Sequence, residues 1–77
     1  MYSKEMFAAE LDMFLAGKVI ECQAIAKWAY NVRLENLSSI DSEVSRWLLQ
    51  LGAMDMGEEF EWSREELAAL VSTARAG

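Results

Sequence analysis

Apolar residues recur along this chain at intervals of three and four positions, which is the spacing of one face of an α-helix. Few stretches show the alternation of apolar and polar residues that is typical of a strand. Because an isolated amphipathic helix cannot bury its apolar stripe, the pattern predicts an all-α fold, a compact antiparallel bundle of about four short helices. The four stripes comprise Phe7, Leu11, Phe14 and Leu15; Ile25, Trp28, Ala29 and Val32; Val44, Trp47, Leu48 and Leu51; and Leu67, Leu70, Val71 and Ala74.

The first half of the chain contains signals for the ends of two helices. The whole length of 77 residues suits one core, so we expect residues 1-77 to form a single helical domain. Ser3 is the expected N-cap of the first helix, and Gly17 suits the position just after its end, where a positive φ is favourable. We expect the second helix to start almost at once, so that the first two helices form an antiparallel hairpin.

The start and the end of the third helix each have two candidate residues. The stretch LENLSSIDSE, residues 34–43, predicts a loop that ends in an N-cap, and both Ser39 and Asp41 fit that role. The third helix ends at Gly52 or at Gly57, and the local pattern does not choose between them.

The fourth helix has the clearest start signal in the sequence. Ser63 and Glu66 have the S-x-x-E spacing of a capping box, in which each side chain accepts a hydrogen bond from the other residue's backbone N–H. Trp62 and Leu67 occupy the two positions of a hydrophobic staple around this box. Trp62 is therefore expected to fix the entry of the chain into the helix.

Negative charge is concentrated in twelve residues. The net charge of the chain is −6, and the segment from Asp55 to Glu66 contains six carboxylates and one arginine, a net −5. Nucleic acid is not an expected partner, because its phosphates would be repelled there. The pattern instead favours a basic protein as the partner.

Five residues of this segment are the candidate partner-binding site. They are Asp55, Glu58, Glu59, Phe60 and Glu61. The carboxylates form either a binding surface or a solvated loop that maintains solubility. Phe60 either turns inward to the core or serves as an exposed aromatic anchor inside a polar rim.

Residues suited to catalysis are scarce in the sequence. The chain has no histidine, and its one cysteine, Cys22, therefore lacks the usual activating base. Cys22 lies on the second apolar stripe, as do Trp28 and Trp47 on theirs, and we expect all three in the core, whereas Tyr30 is expected to place its hydroxyl at the surface. The acidic segment does not match a calcium-binding loop. We expect no enzyme activity, no cofactor and no metal site.

The sequence also indicates the cellular compartment in which the protein is expected. A single cysteine cannot form an intrachain disulfide. The first residues lack the pattern of a signal peptide, and no apolar run reaches the roughly 18 residues of a membrane span. We therefore expect a cytoplasmic protein.

The stretch LDMFLAGKVIECQAIAKWAYN, Leu11 to Asn31, resembles the opening helical hairpin of the colicin D-type immunity proteins. The shared features are the apolar FL pair, the short turn with a small residue and a lysine at residues 16–18, and a following helix with an aromatic residue late in it. Proteins of that family are small, helical and bacterial, and each binds and blocks a nuclease toxin. The resemblance implies a helical fold and an acidic face that meets a basic toxin.

Two functions are consistent with these patterns. The first is a small acidic binding protein that neutralises a cognate basic bacterial toxin, with carboxylates at the positions where a nuclease would bind phosphates. The alternative is a helical protein–protein interaction or scaffold module without a toxin-related role. A homodimer is one version of this alternative. An apolar patch left exposed by the closed bundle would favour the alternative.

Overall fold

Four α-helices form the fold in a computed structural model that describes residues 1–76. The helices are α1 (Lys4–Leu15), α2 (Cys22–Glu35), α3 (Ser42–Leu51) and α4 (Arg64–Ala76), and a single 3₁₀ turn, Glu58–Phe60, lies between α3 and α4. The chain is 68% helical, and no strand occurs within residues 1–76. This confirms the prediction of a small all-α bundle. None of the helices in that range is long and apolar enough to cross a membrane.

All four helices contribute their apolar stripes to one core. The largest fully buried side chains are Phe7, Leu11, Ile25, Val44, Leu48, Leu51, Met54 and Leu67. Trp28 and Trp47 are only partly buried, and their rings pack against Phe7 with centroid distances of 5.8 Å and 5.4 Å. The two indoles therefore form the edge of the core and not its centre.

The helices pair in an order that the sequence did not indicate. α1 packs most closely on α4, and α2 packs most closely on α3. The prediction that α1 and α2 form a hairpin is wrong, because neither helix has the other as its main neighbour. Residues 16–21 form a longer connection than the immediate restart that we predicted, and Ile20 in it packs against the core. α1 and α2 still meet through aromatic side chains, since Trp28 contacts both Phe7 and Phe14.

The end of α1 is satisfied by a residue from the far end of the chain. The Arg64 guanidinium, at the first position of α4, donates to the carbonyl oxygens of Leu15 and Gly17, the latter at 2.7 Å. Gly17 does follow the helix as predicted, but the positive φ expected there is wrong, since within residues 1–76 only Gly57 has one, at 156°. The carbonyls at the end of α1 find their donors in Arg64, so no left-handed residue is required.

The N-cap of α1 is the predicted residue, and the structure selects one of the two predicted candidates at each end of α3. The Ser3 hydroxyl caps α1 by accepting from the backbone N–H of Met6 at 3.3 Å. Asp41, and not Ser39, caps α3, where one carboxylate oxygen accepts from two backbone N–H groups at 2.9 and 3.2 Å. α3 ends with Gly52 as its C-cap, and Gly57 instead supplies the positive φ before the 3₁₀ turn.

The N-terminal residues are joined to the loop between α2 and α3. The Tyr2 N–H donates to the Ser39 carbonyl at 2.9 Å, and the Asp41 N–H donates to the Tyr2 carbonyl at 3.2 Å. An ion pair of 2.9 Å between Lys4 and Glu43 lies beside this bridge. The Tyr2 side chain is buried, at 4% exposure. The first turn of α1 is thereby held against the start of α3.

The Tyr2 hydroxyl lies next to the carboxylate of Glu10. Burial raises the pKa of Tyr2 well above its ordinary value, and the neighbouring carboxylate of Glu10 raises that pKa further. The buried hydroxyl has no hydrogen-bond partner of normal geometry within residues 1–76. The phenol is therefore held in its neutral form.

Both bonds of the predicted capping box are present at the start of α4. The Ser63 N–H donates to Glu66 Oε1 at 2.9 Å, and the Glu66 N–H donates to Ser63 Oγ at 3.1 Å. Leu67 is fully buried, and Trp62 packs partly buried against the core. The capping-box prediction is confirmed.

Replacement of Ser63 by alanine is expected to destabilise the protein by about 0.5–2 kcal/mol, because the Glu66 N–H at the start of α4 loses its acceptor, Ser63 Oγ. Urea unfolding followed by circular dichroism measures the change. Ser72→Ala is the matched control, since Ser72 is exposed within α4 and alanine is a good helix former. Equal unfolding midpoints for the two variants would contradict the capping role.

Alkaline pH is expected to destabilise the protein through Tyr2. The folded state holds the phenol proton more tightly than the unfolded chain does, so this contribution to stability is complete below about pH 10 and is lost as the pH rises further. Tyr2→Phe should therefore reduce the fall in Tm between about pH 8 and about pH 11. Tyr30→Phe is the control, because Tyr30 is exposed. An alkaline fall that is identical in the wild type and in Tyr2→Phe would exclude this role.

Candidate protein-binding surface

The acidic segment, Asp55–Glu66, connects α3 to α4 and is fixed to the core at both of its ends. Before it, Met54 is fully buried and its N–H donates to the Leu51 carbonyl at 3.1 Å. Towards the end of the segment, Trp62 packs against the core directly before Ser63, the first residue of the capping box. The intervening residues are therefore held at the surface by a short, anchored connection.

A 3₁₀ turn shapes the middle of the acidic segment. The Phe60 N–H donates to the Gly57 carbonyl at 3.0 Å, and the Glu61 N–H donates to the Glu58 carbonyl at 3.2 Å. Four of the five predicted site residues thus lie together, with Glu58, Glu59 and Phe60 on one tight turn and Glu61 directly after it. The Phe60 ring is 44% exposed, so the interpretation of Phe60 as a core residue is wrong. A three-residue turn cannot bury this ring as an extended segment would, and the ring remains accessible.

The carboxylates of the acidic segment face solvent without local compensation. All six are exposed, and the ion pairs within residues 1–76 join Lys4 to Glu43 and Asp12 to Arg75, outside the segment. The one base of the segment, Arg64, directs its guanidinium to the end of α1. The segment therefore presents an uncompensated negative potential.

The predicted site residues divide between two places. Glu59, Phe60 and Glu61 line a groove of about 390 Å³, which we call the acidic groove. Its other lining residues are Gln50, Ala53, Trp62 and Glu66. Asp55 instead lines a neighbouring groove with Lys27 and Tyr30, and Glu58 lies exposed on the turn outside the lining of the acidic groove.

Glu61 also has a partner in α2. The pKa of the Cys22 thiol is raised by burial, and the charge of Glu61 and a hydrogen bond to it raise that pKa further. Cys22 is the first residue of α2, whose N-cap makes no side-chain hydrogen bond and whose first turn has no acidic residue. Glu61 therefore adds a negative charge at the start of α2, where the N-cap residue Glu21 carries a charge but caps no N–H with its side chain.

Cys22 itself is partly exposed, although it packs against the core. The prediction that Cys22 is buried in the core is therefore only partly right, because its side chain packs against the core but is not buried. As the first residue of α2, it lies at the end of the apolar stripe, where one side of the thiol faces Glu61 and not the core.

A second groove was not anticipated as a binding surface. Tyr30, Leu49 and Met56 line it while remaining 60%, 55% and 73% exposed, and we call it the apolar groove. It has a volume of about 170 Å³ and shares Ala53 with the acidic groove, so the two adjoin. The sequence contains only a weak signal for this groove, because none of the three residues belongs to an apolar stripe. The packing of α2 beside α3 brings them together.

A basic side chain also lines the apolar groove. Arg33 lies beside Tyr30 and Leu49, and its buried Nε has no hydrogen-bond partner within residues 1–76. The grooves therefore offer an apolar centre with one cation, bordered by carboxylates. Among the described residues, no group of three or more cysteine, aspartate or glutamate side chains is placed to hold a metal ion.

Comparison of the chain with family models, with curated proteins and with solved structures finds no match. The resemblance of residues 11–31 to the colicin D-type immunity proteins therefore stays a prediction. The geometry of the grooves and the charges around them are what any functional argument for this chain must use.

Replacement of Glu61 by glutamine is expected to make Cys22 react faster with the neutral reagent iodoacetamide, by several-fold at mildly alkaline pH. The loss of the negative charge lowers the pKa of Cys22, and the thiolate is the reacting form. Glu59→Gln, on the same turn, is the control and should leave the rate unchanged. Rates measured in denaturant should be equal for all variants. A native rate that Glu61→Gln does not alter would contradict the contact between Glu61 and Cys22.

Proposed function

We propose that this chain is a small binding protein that uses the acidic segment and the adjoining apolar groove to bind a basic protein. The supporting observation is the juxtaposition of exposed, unpaired carboxylates with the exposed side chains of Tyr30, Leu49 and Met56. Protein interfaces combine an apolar centre with a polar rim in this way, and aromatic side chains often supply much of the affinity.

The charge of the surface defines the chemistry of the partner. Carboxylates attract a basic surface over a distance and orient it before contact, which raises the association rate. Once contact is made, the apolar groove and the Phe60 ring would hold an apolar anchor of the partner. The partner that fits is thus a basic protein with an exposed apolar side chain at the centre of its binding face.

We propose a bacterial toxin with a nuclease domain as this basic protein. A nuclease presents basic side chains to the phosphates of its substrate, and a row of carboxylates can occupy the same positions. The resemblance of residues 11–31 to immunity proteins supports the same partner. A cytoplasmic location accords with this role and with a cysteine that is a free thiol.

The alternative function is a helical interaction or scaffold module, which includes a homodimer. The apolar groove favours it, because this is the exposed patch that such a module requires. A two-fold dimer through this groove would, however, bring two acidic segments of net charge −5 into proximity. Like charges oppose that contact, so the same surface suits a basic partner better.

The decisive experiment reverses charges on the turn. Glu58→Lys/Glu59→Lys is compared with Glu5→Lys/Glu35→Lys, which has the same net charge and changes exposed residues of α1 and α2. Capture from the host lysate at low and high salt supplies the partner, and stopped-flow mixing measures binding. The turn variant should associate about tenfold or more slowly at low salt and lose most of its salt dependence.

The control variant should lose much less of the association rate, since its charges lie away from the proposed surface. Met56→Ala should speed dissociation and leave the unfolding midpoint unchanged, because that side chain is mostly exposed. Equal association rates for the two charge-reversed variants would contradict the acidic-surface model. A tight dimer in sedimentation that Met56→Ala disrupts would establish the alternative.

A further inference from the structure

A further groove lies between α1 and α2, apart from the acidic segment and the apolar groove. Glu10, Met13 and Phe14 of α1 and Trp28 of α2 line it, and its volume is about 410 Å³. A groove of this size accommodates a small organic molecule. The proposed function uses none of these four residues.

Two aromatic rings form the apolar part of this groove. The centroids of Phe14 and Trp28 lie 5.4 Å apart with their planes inclined at 54°, and Phe7 packs on Trp28 at 5.8 Å. The fully buried Phe7 therefore fixes the position of the indole. Met13 is 75% exposed and lies at the edge of the groove. Aromatic faces attract organic cations, and tryptophan does so most strongly.

A partly buried carboxylate borders the same rings. Glu10 Oε1 accepts a hydrogen bond from Trp28 Nε1 at 3.0 Å, and the Tyr2 hydroxyl lies next to the same carboxylate. The Trp28 donor is neutral, so it orients the carboxylate without cancelling its charge, and the Tyr2 phenol beside it is neutral as well. The ion pairs within residues 1–76 involve other carboxylates. Since a carboxylate has about four lone-pair sites, Glu10 retains capacity for a cation.

We propose that this groove binds a small organic ammonium ion. Its N-alkyl groups would pack against the rings of Trp28 and Phe14, and its positive charge would face the carboxylate of Glu10. An anion would be repelled by the carboxylate. A metal ion would find only one charged ligand among the four lining residues. A neutral apolar molecule would leave the charge of Glu10 uncompensated in a partly buried place.

Choline is the probe, and its neutral carbon analogue, in which a tert-butyl group replaces the trimethylammonium group, is the matched ligand control. The indole N–H signals in an NMR spectrum distinguish three places. Trp28 lines this groove, Trp62 lines the acidic groove, and Trp47 lines neither of the two. Choline should shift the Trp28 signal and saturate in the millimolar range, and the neutral analogue should bind more weakly.

Glu10→Gln keeps an oxygen that can accept from Trp28 Nε1 and removes the charge. It should weaken choline binding at the Trp28 signal by about fivefold or more, and Glu5→Gln, an exposed position on the same helix, should not. Met13→Lys gives a second test that does not disturb the core, since Met13 is largely exposed. A lysine at the edge of the groove should compete with choline, and Met13→Gln should not.

Four results would overturn the proposal, and the first three concern the groove itself. These three are an unshifted Trp28 signal at millimolar choline, equal binding of the neutral analogue, and binding that neither Glu10→Gln nor Met13→Lys weakens. A shift of the Trp62 signal alone would also overturn it, because the cation would then be bound in the acidic groove.

Discussion

Four short helices share one small core in this chain, and the burial of their apolar stripes against one another is the interaction on which the other features depend. Helices of 10 to 14 residues are marginal in water when isolated, so their stability comes from this packing. Residues outside the helices complete the core, with Tyr2 before α1 and Met54 after α3. Two segments outside the helices are therefore anchored in the core by a buried side chain.

Polar bonds across the chain then hold the helices in register. Tyr2 joins the N-terminus to the loop before α3, and Arg64 joins the start of α4 to the end of α1. Lys4 and Arg75 form ion pairs with carboxylates of other elements. All three bases contact groups outside the acidic segment, whose six carboxylates are exposed.

The acidic groove and the α1–α2 groove both combine aromatic rings with carboxylates, and burial distinguishes them. The acidic groove is lined by three exposed carboxylates, Glu59, Glu61 and Glu66, whose charge acts over a distance and is screened by salt. Glu10 is single, partly buried and oriented by Trp28, which suits a short-range contact with one cationic group. One surface is therefore suited to a protein and the other to a small ion.

The sequence by itself determined the helical fold, the caps at Ser3 and Ser63 and the cluster of negative charge, because each of these depends on residues within a few positions of one another. The tertiary structure alone decided the pairing of α1 with α4, the exposure of Phe60 and the contact of Glu10 with Trp28. Those features join residues from different helices or depend on the space left between them. Local spacing carries no information about which helix will lie beside another, since every apolar stripe can pack against any of the other three, and only the closed core selects one arrangement.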